Sequence, residues 1–334
     1  MTDQTQQRLF GYSHAFDQAI TLWIVAAVAA LLALAPLLIL FVTSVTGASA
    51  KLHDELWKRY LSWLFLVPVM AVPVLLGAIW TILAIAALSL LCYREFARVT
   101  GLNRERTVNT TVYLGILAIH FAVLDHWYGF FVALIPLSIG AIAAVTILDD
   151  RPHGYIRRVA LGSLGYALFG SGLAHLGYLA NGPNYRPLIL TLLVTVELND
   201  VFAYMTGRAF GRRKLAPNTS PNKTVAGAVG ALILTTGLAA GLGHFVFAGT
   251  PLSQPAQLVL FGAMISTLGQ LGDLLLSSVK RDLGIKDMGD SIPGHGGILD
   301  RFDSLILVAP AVFHYVHYFV GVGLDEPARI FTLR

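Results

Sequence analysis

Apolar residues occur in long blocks along this chain, with neither the strict alternation of a surface strand nor the narrow stripe of a soluble helix. Runs fall at 22–43, 61–73, 75–93, 110–124, 128–148, 158–180, 186–206, 225–247, 257–279 and 304–323. Most approach the roughly 20 residues that a helix needs to cross hydrocarbon. The pattern predicts an all-α polytopic membrane protein with about ten transmembrane helices. The second run is short and holds Pro68 and Pro73. With the third it reads as one kinked helix, a re-entrant pair or two tilted spans. The first run, Leu22 to Thr43, is too long for a signal-peptide core and has only Arg8 before it, so it reads as a retained helix.

Composition agrees. Of 334 residues, 56% are hydrophobic and 13% charged, against about 25% charged in soluble domains. Cys92 is the only cysteine, which excludes an intrachain disulfide and a Cys cluster for zinc. The placement of the basic residues says more than the net charge. With ten spans, the alternate loops 44–60, 94–109, 149–158, 207–223 and 280–303 hold 19 of the 23 Lys and Arg. The positive-inside rule puts these loops in the cytoplasm and both termini outside. Merging two spans would split the basic loops between the two faces. No separate soluble domain is predicted. The chain divides into N-terminal transmembrane helices, 1–185, and a region 186–334 with the long cytoplasmic loops 207–223 and 280–303, where chemistry is expected.

Some polar residues lie inside the apolar runs. Glu197, Asp200, Tyr204 and Arg208 follow at steps of three and four, on one helix face, with Asn199 beside them. Gln270, Asp273, Ser277 and Lys280 do the same in the next-but-one run. A mid-helix Asp costs about 2.5–3.5 kcal/mol on insertion scales. One reading pairs Asp200 with Arg208 and Asp273 with Lys280 as helix locks. The other is a cation or phosphate site, since opposed carboxylates need a metal to join them. With Asp287, Asp300 and Asp303 from the adjacent loop they form a hard oxygen set suited to Mg²⁺.

Loop 207–223 carries Arg208, Arg212, Arg213, Lys214 and Lys223, and Ser220 to Thr224 is expected to open the next helix. Lys223 at a helix start suits a phosphate, whereas Arg212 and Arg213 suit lipid head groups. Loop 280–303 interleaves Lys280, Arg281, Lys286 and Arg301 with Asp282, Asp287, Asp290, Asp300 and Asp303, as a metal–polyphosphate complex requires. Pro293-Gly294-His295-Gly296-Gly297 can bring backbone close to a ligand, and no Walker pattern is present. Asp303 or Ser304 can instead cap the last helix. His314 and His317 have no third ligand nearby in sequence and read as packing.

These residues carry a resemblance. Ser277-x-Val279-Lys280-Arg281, Lys286-Asp287-x-Gly289, Ile292-Pro293-x-His295-Gly296-Gly297-Ile298 and Asp300-Arg301-Phe302-Asp303 lie in one stretch of 27 residues. That stretch is similar to the signature of the phosphatidate cytidylyltransferases. Asp200-x-x-Ala203-Tyr204, Phe210-Gly211, Lys214-Leu215-Ala216-Pro217, Ser220-Pro221-x-Lys223-Thr224 and Glu95-Phe96 also resemble that family. The likeness is strong over about 199–304. Ala226 and Leu276 stand where the family usually has acids, and Glu197 is an acid not expected at its position, so the chain looks like a divergent branch.

The resemblance implies transfer of CMP from CTP to phosphatidate, giving CDP-diacylglycerol and pyrophosphate, with Mg²⁺ as cofactor. It implies Asp200, Asp273, Asp287 and Asp300 as metal ligands. Asp273, Lys280, Arg281, Asp287, Asp300 and Arg301 would be catalytic. Lys214, Ser220, Lys223, Thr224, Lys286, His295, Gly296 and Gly297 would bind substrate. The expected partners are CTP, phosphatidate or a related lipid phosphate, and membrane lipids. No nucleic acid is expected, and a homodimer is left open. The expected location is a bacterial inner membrane, with the catalytic loops facing the cytoplasm. A CTP-dependent enzyme acting on another lipid phosphate or an isoprenoid alcohol is the alternative, with a transporter behind it.

Overall fold

A computed structural model describes residues 3–46, 50–182, 184–292, 296–321 and 329–332. Among the described residues the regular structure is helical apart from one small hairpin and an isolated bridge between Ile292 and Gly296. After α1 (Asp3–Phe10) come α2 (Ala19–Thr46), α3 (Ala50–Leu76), α4 (Ala78–Thr100), α5 (Arg106–Leu124) and α6 (Tyr128–Ile147). Next, α7 (Tyr155–Gly165) and α8 (Leu173–Leu179) form one rod joined by a π-helical turn, Tyr166–Gly172. The second half holds α9 (Tyr185–Phe210), β1 (Lys214–Ala216), β2 (Ser220–Thr224), α10 (Val225–Val246), α11 (Pro255–Asp282), α12 (Leu299–Phe302) and α13 (Leu305–Val320). Nine helices among the described residues are long and apolar enough to cross a membrane, and α13 is a shorter apolar helix. The protein is an all-α polytopic membrane protein.

The three options for the second and third runs resolve into two helices. Gly77 separates α3 from α4 at φ 141°, a backbone that side chains rarely adopt. A Cβ there would also enter the Leu9 carbonyl at the end of α1. Two expectations change. Lys58 and Arg59 lie on α3 itself, because the apolar run is continued by a helical, charged N-terminal extension. Ser220–Thr224 is a strand paired antiparallel with Lys214–Ala216, not the first turn of a helix. Helix α10 starts only at Val225, capped by Thr224 Oγ1 accepting from Gly227 N at 3.1 Å.

The alternate loops gather at two opposite ends. At the basic end, Arg151 reaches Glu105 at 2.6 Å and Thr107 reaches Asp149 at 2.5 Å. There Arg98 also donates to the Met288 carbonyl and Arg281 to that of Thr219. At the other end, Arg186 donates to the Gly11 carbonyl at 2.7 Å, Gln18 meets Asn184, and Asp125 accepts from Ile330 N at 2.9 Å. One core, including Phe96, Phe131, Phe169, Leu173 and Phe313, runs between them. Helices α9, α10 and α11 are knotted by Asn199, whose Oδ1 accepts from Thr235 at 2.9 Å and Ser266 at 2.6 Å. This buried knot fixes the rotation of α9, and so the direction in which Asp200, one residue on, points.

Candidate active site

Three acids meet where α9, α11 and the turn between α12 and α13 come together at the basic end. Gly272 lets α11 pack against the Asp303 backbone: a Cβ there would lie 2.6 Å from the Asp303 carbonyl oxygen. Asp303 is buried, and Asp273, Asp200, Lys280 and Lys223 all lie within electrostatic reach of it. Burial pushes its pKa well above the usual carboxylate range. The Asp273 and Asp200 charges push the same way, against Lys280 and Lys223. Asp200 in turn faces Lys223, Asp273 and Arg301. The lock pairs suggested by sequence are replaced. Asp273 pairs with Lys223 from β2, and Ser277 Oγ donates to it at 3.4 Å. Lys280 pairs with Asp300 at 2.8 Å.

Asp300 is engaged on both oxygens. Oδ1 takes Lys280 Nζ, and Oδ2 takes the backbone N–H of Met288 at 2.8 Å and of Gly297 at 2.9 Å. Glu95 on α4 does similar work. It accepts from Ser291 Oγ at 2.8 Å, Ile298 N at 3.1 Å and Leu299 N at 2.8 Å, holding the first turn of α12. Two glycines permit this. Gly296 sits at φ 84°, and a Cβ on Gly297 would enter the Glu95 carboxylate. Ile292 N donates to the Gly296 carbonyl at 2.8 Å. His295, which the resemblance makes a substrate ligand, lies outside the described residues.

An open cleft of about 760 Å³ lies beside these groups, walled by α3, α9 and loop 280–303. Arg59, Lys286 and Arg301 supply its cations, and Glu197, Asp200, Asp287 and Asp290 its acids. Arg301 Nε is buried without a hydrogen-bond partner, and the guanidinium faces Glu197 and Asp200. The remaining sequence candidates are spread around this centre. Arg281 ties loop to hairpin through Thr219 O at 3.3 Å and its own loop through Ile285 O at 3.0 Å. Lys214 is exposed on β1 across from Thr224, and Ser220 lies opposite Ala216. The Thr224 hydroxyl is occupied as a helix cap.

Sequence reasoning left two residues, Glu95 and Arg59, without a site role. Glu95 stood only in the resemblance, because the apolar run ends at 93 and the sequence reads Glu95 as a loop residue between Arg94 and Arg98. Asp303 was weighed both as one of the metal-binding oxygens and as a cap. Arg59 was counted only as a loop charge, since nothing in the sequence joins α3 to residues more than 200 positions away.

The donor chemistry suits a hard divalent cation. Among the described residues no three acids, histidines or cysteines form a ready cage. Mg²⁺ does not need one, since it is typically held by one or two carboxylates plus substrate phosphates. Asp200, exposed to the cleft, and Asp273 provide such a pair.

Fold and site together define a polytopic membrane protein with a densely charged cleft at one end of its bundle. The family model described as "Cytidylyltransferase family" matches residues 57–319. Escherichia coli (strain K12) "Uncharacterized protein YnbB" is 33% identical over 252 residues, covering 73% of this chain and 82% of that one. Rickettsia bellii phosphatidate cytidylyltransferase is 34% identical over 204 residues, 59% of this chain and 85% of that one. The Bacillus subtilis phosphatidate cytidylyltransferase is 41% identical over 126 residues, 38% of this chain and 46% of that one. The chain belongs to the cytidylyltransferase family.

Proposed function

We propose that the protein transfers CMP from CTP to phosphatidate, giving CDP-diacylglycerol and pyrophosphate. The observation that carries this is the juxtaposition of Asp200, Asp273 and Asp303 with Lys223 and the free Nε of Arg301 beside an open cleft. Acids and bases crowded at that density suit a nucleotide–metal complex, which presents both signs. A lipid phosphate oxygen attacks the α-phosphorus of CTP, and the bond to the pyrophosphate breaks. The attacking oxygen is already ionised, so no side chain has to remove a proton. Catalysis then rests on alignment and charge neutralisation.

Asp200 and Asp273 would hold Mg²⁺, with Asp287 on the opposite wall of the cleft. Bound there, it would offset charge on the attacking and leaving phosphates. Lys223 would turn from Asp273 to the nucleotide phosphates. Arg301, with Lys286 and Arg59, would hold the lipid phosphate. Asp300 and Glu95 would keep the loop closed around them, and Lys280 and Arg281 would brace it. The basic end would face the cytoplasm, where CTP is made. In whole cells lacking Cys92, an impermeant thiol reagent should label a cysteine at 250 and spare one at 105; the reverse would invert the topology.

Radiolabelled CTP should yield a chloroform-extractable product that depends on phosphatidate and Mg²⁺. No such product from phosphatidate, with transfer to another lipid phosphate or an isoprenoid alcohol, would move the protein to that alternative reading. Glu197 favours keeping that reading in the panel, because it places an additional acid in the acceptor's part of the cleft. Mass spectrometry of the product across a set of acceptors decides between them.

A further inference from the structure

His314 and His317 have no third histidine near them in sequence, but the fold supplies one. His175 on α8 packs against α13 with its ring centroid 5.1 Å from that of His314. It is buried, 3% exposed. Its Nδ1 lies 2.7 Å from the carbonyl of Ser171, in the π-helical turn before α8, and such turns are frequent at functional sites. A carbonyl only accepts, so Nδ1 carries the proton and Nε2 of the neutral ring offers a lone pair. That Nε2 is buried and has no hydrogen-bond partner among the described residues. The buried Nδ1 of His317, one turn beyond His314, has none either. Both rings lie against Phe313, at 5.2 and 5.8 Å. Orphaned buried nitrogens are rare, and two around one ring call for a ligand.

Packing alone accounts for the distances. Aromatic centroids commonly stand about 4.5–7 Å apart, and Phe131 flanks His175 at 4.9 Å. Packing does not account for the free nitrogens. Two imidazoles bound to one tetrahedral ion at about 2.0–2.1 Å also hold their centroids roughly 5 Å apart. One nitrogen fixed by a backbone carbonyl, with the opposite one free, is how a ligating histidine is oriented.

The place is separate from the acid cleft. His175 lies four residues before the end of α8 and His314 six before the end of α13. These are about 6 and 9 Å from the helix ends away from the basic loops. The donors differ too, since imidazole suits zinc, copper or nickel, whereas carboxylate suits magnesium.

We propose that His175 and His314 bind a nitrogen-preferring transition-metal ion such as Zn²⁺, with His317 or water completing its coordination, so that the ion joins α8 to α13. As they stand, the three histidines form no ready cage. His314 is exposed, which leaves its ring free to turn towards the His175 Nε2 and gives the ion a way in.

The test uses the purified full chain in detergent, without an affinity tag and stripped by EDTA, titrated with Zn²⁺ alone. One ion per chain should bind tightly and raise Tm, and Co²⁺ in its place should show the visible absorption of an imidazole-bound ion. His175→Ala and His314→Ala should each weaken Zn²⁺ binding by more than about 10-fold and abolish the Tm rise. Exposed His244 is the control: His244→Ala should keep the tight site. Asp273→Asn should keep it as well, which separates it from the acid cleft. His314→Gln, at an exposed position, carries the test if His175→Ala does not fold. Absence of a tight site in the wild type would overturn the proposal. So would Zn²⁺ binding that His314→Gln leaves unchanged, or tight binding that Asp273→Asn removes.

Discussion

The two ends of the bundle treat a buried aspartate in opposite ways. At the end away from the basic loops, Asp125 follows α5 and accepts backbone N–H from Ile330, Phe331 and Thr332 at 2.9, 2.6 and 3.2 Å, together with the Thr332 hydroxyl. Burial pushes its pKa up, but these hydrogen bonds outweigh burial and hold it below the usual carboxylate value. At the basic end, Asp303 is buried against Asp273 and Asp200, and its pKa goes up. One carboxylate closes the chain on itself. The other is kept in opposition to its neighbours, a cost that a ligand with positive charge relieves. Asp300 shows that location alone does not decide: it lies at the basic end, yet its oxygens are satisfied by Lys280 and two backbone N–H groups.

Removing an acid from the opposed set gives the largest loss of activity. Asp273→Asn should reduce CMP transfer by more than about 100-fold, as the loss of several kcal/mol of metal-borne charge stabilisation requires. Protein abundance in the membrane should be unchanged. Full activity of this variant at limiting Mg²⁺ would remove Asp273 from the site. Next comes Lys223→Ala, which should raise the apparent KM for CTP by about 10- to 150-fold, the cost of one charge-assisted hydrogen bond. Lys280→Ala should instead impair lipid use or the chemical step. Titration of both substrates in mixed micelles separates them, and an unchanged CTP dependence in Lys223→Ala breaks the assignment.

Glu95→Ala tests a satisfied acid at the reactive end. With Ser291, Ile298 and Leu299 unpinned, activity should fall about 10- to 100-fold, and amide exchange should rise at 298–299. Unchanged exchange there would show that the loop holds without α4. Asp125→Asn should leave CMP transfer near normal and lower stability by about 2 kcal/mol at neutral pH. The folded pKa of Asp125 is depressed, so its contribution is present above the unfolded pKa near 4 and fades as pH falls through the folded value. The Tm difference between wild type and Asp125→Asn should therefore shrink only in acid. A difference that disappears as pH rises above 7 would contradict the hydrogen-bond account. The smallest effect belongs to Arg212→Ala, at an exposed position in the segment before β1. Both KM values should stay within about twofold, and a loss like that of Lys223→Ala would make Arg212 part of the site.

Sequence alone determined the class of fold, the sorting of basic residues and the chemical vocabulary of the site. Each of these is a local property: block hydrophobicity sets the helices, loop charge sets the sides, and residue types in one stretch from Ser277 to Asp303 carry the resemblance. The same locality explains the misreadings. Ser220–Thr224 has the residues of a helix start, but pairing with Lys214–Ala216 makes it a strand and moves the start to Val225. Nothing adjacent to Asp273 indicated that Lys223 would be its partner, or that Lys280 would turn to Asp300. Those choices depend on how α9, α11 and the hairpin pack, which the Asn199 knot and the close approach at Gly272 fix. Glu95 reaches residues some 200 positions on because α4 passes behind the loop, and Arg59 enters the cleft because α3 stands against α9. Periodicity fixes which face of a helix a residue occupies, whereas only three-dimensional packing decides what that face meets.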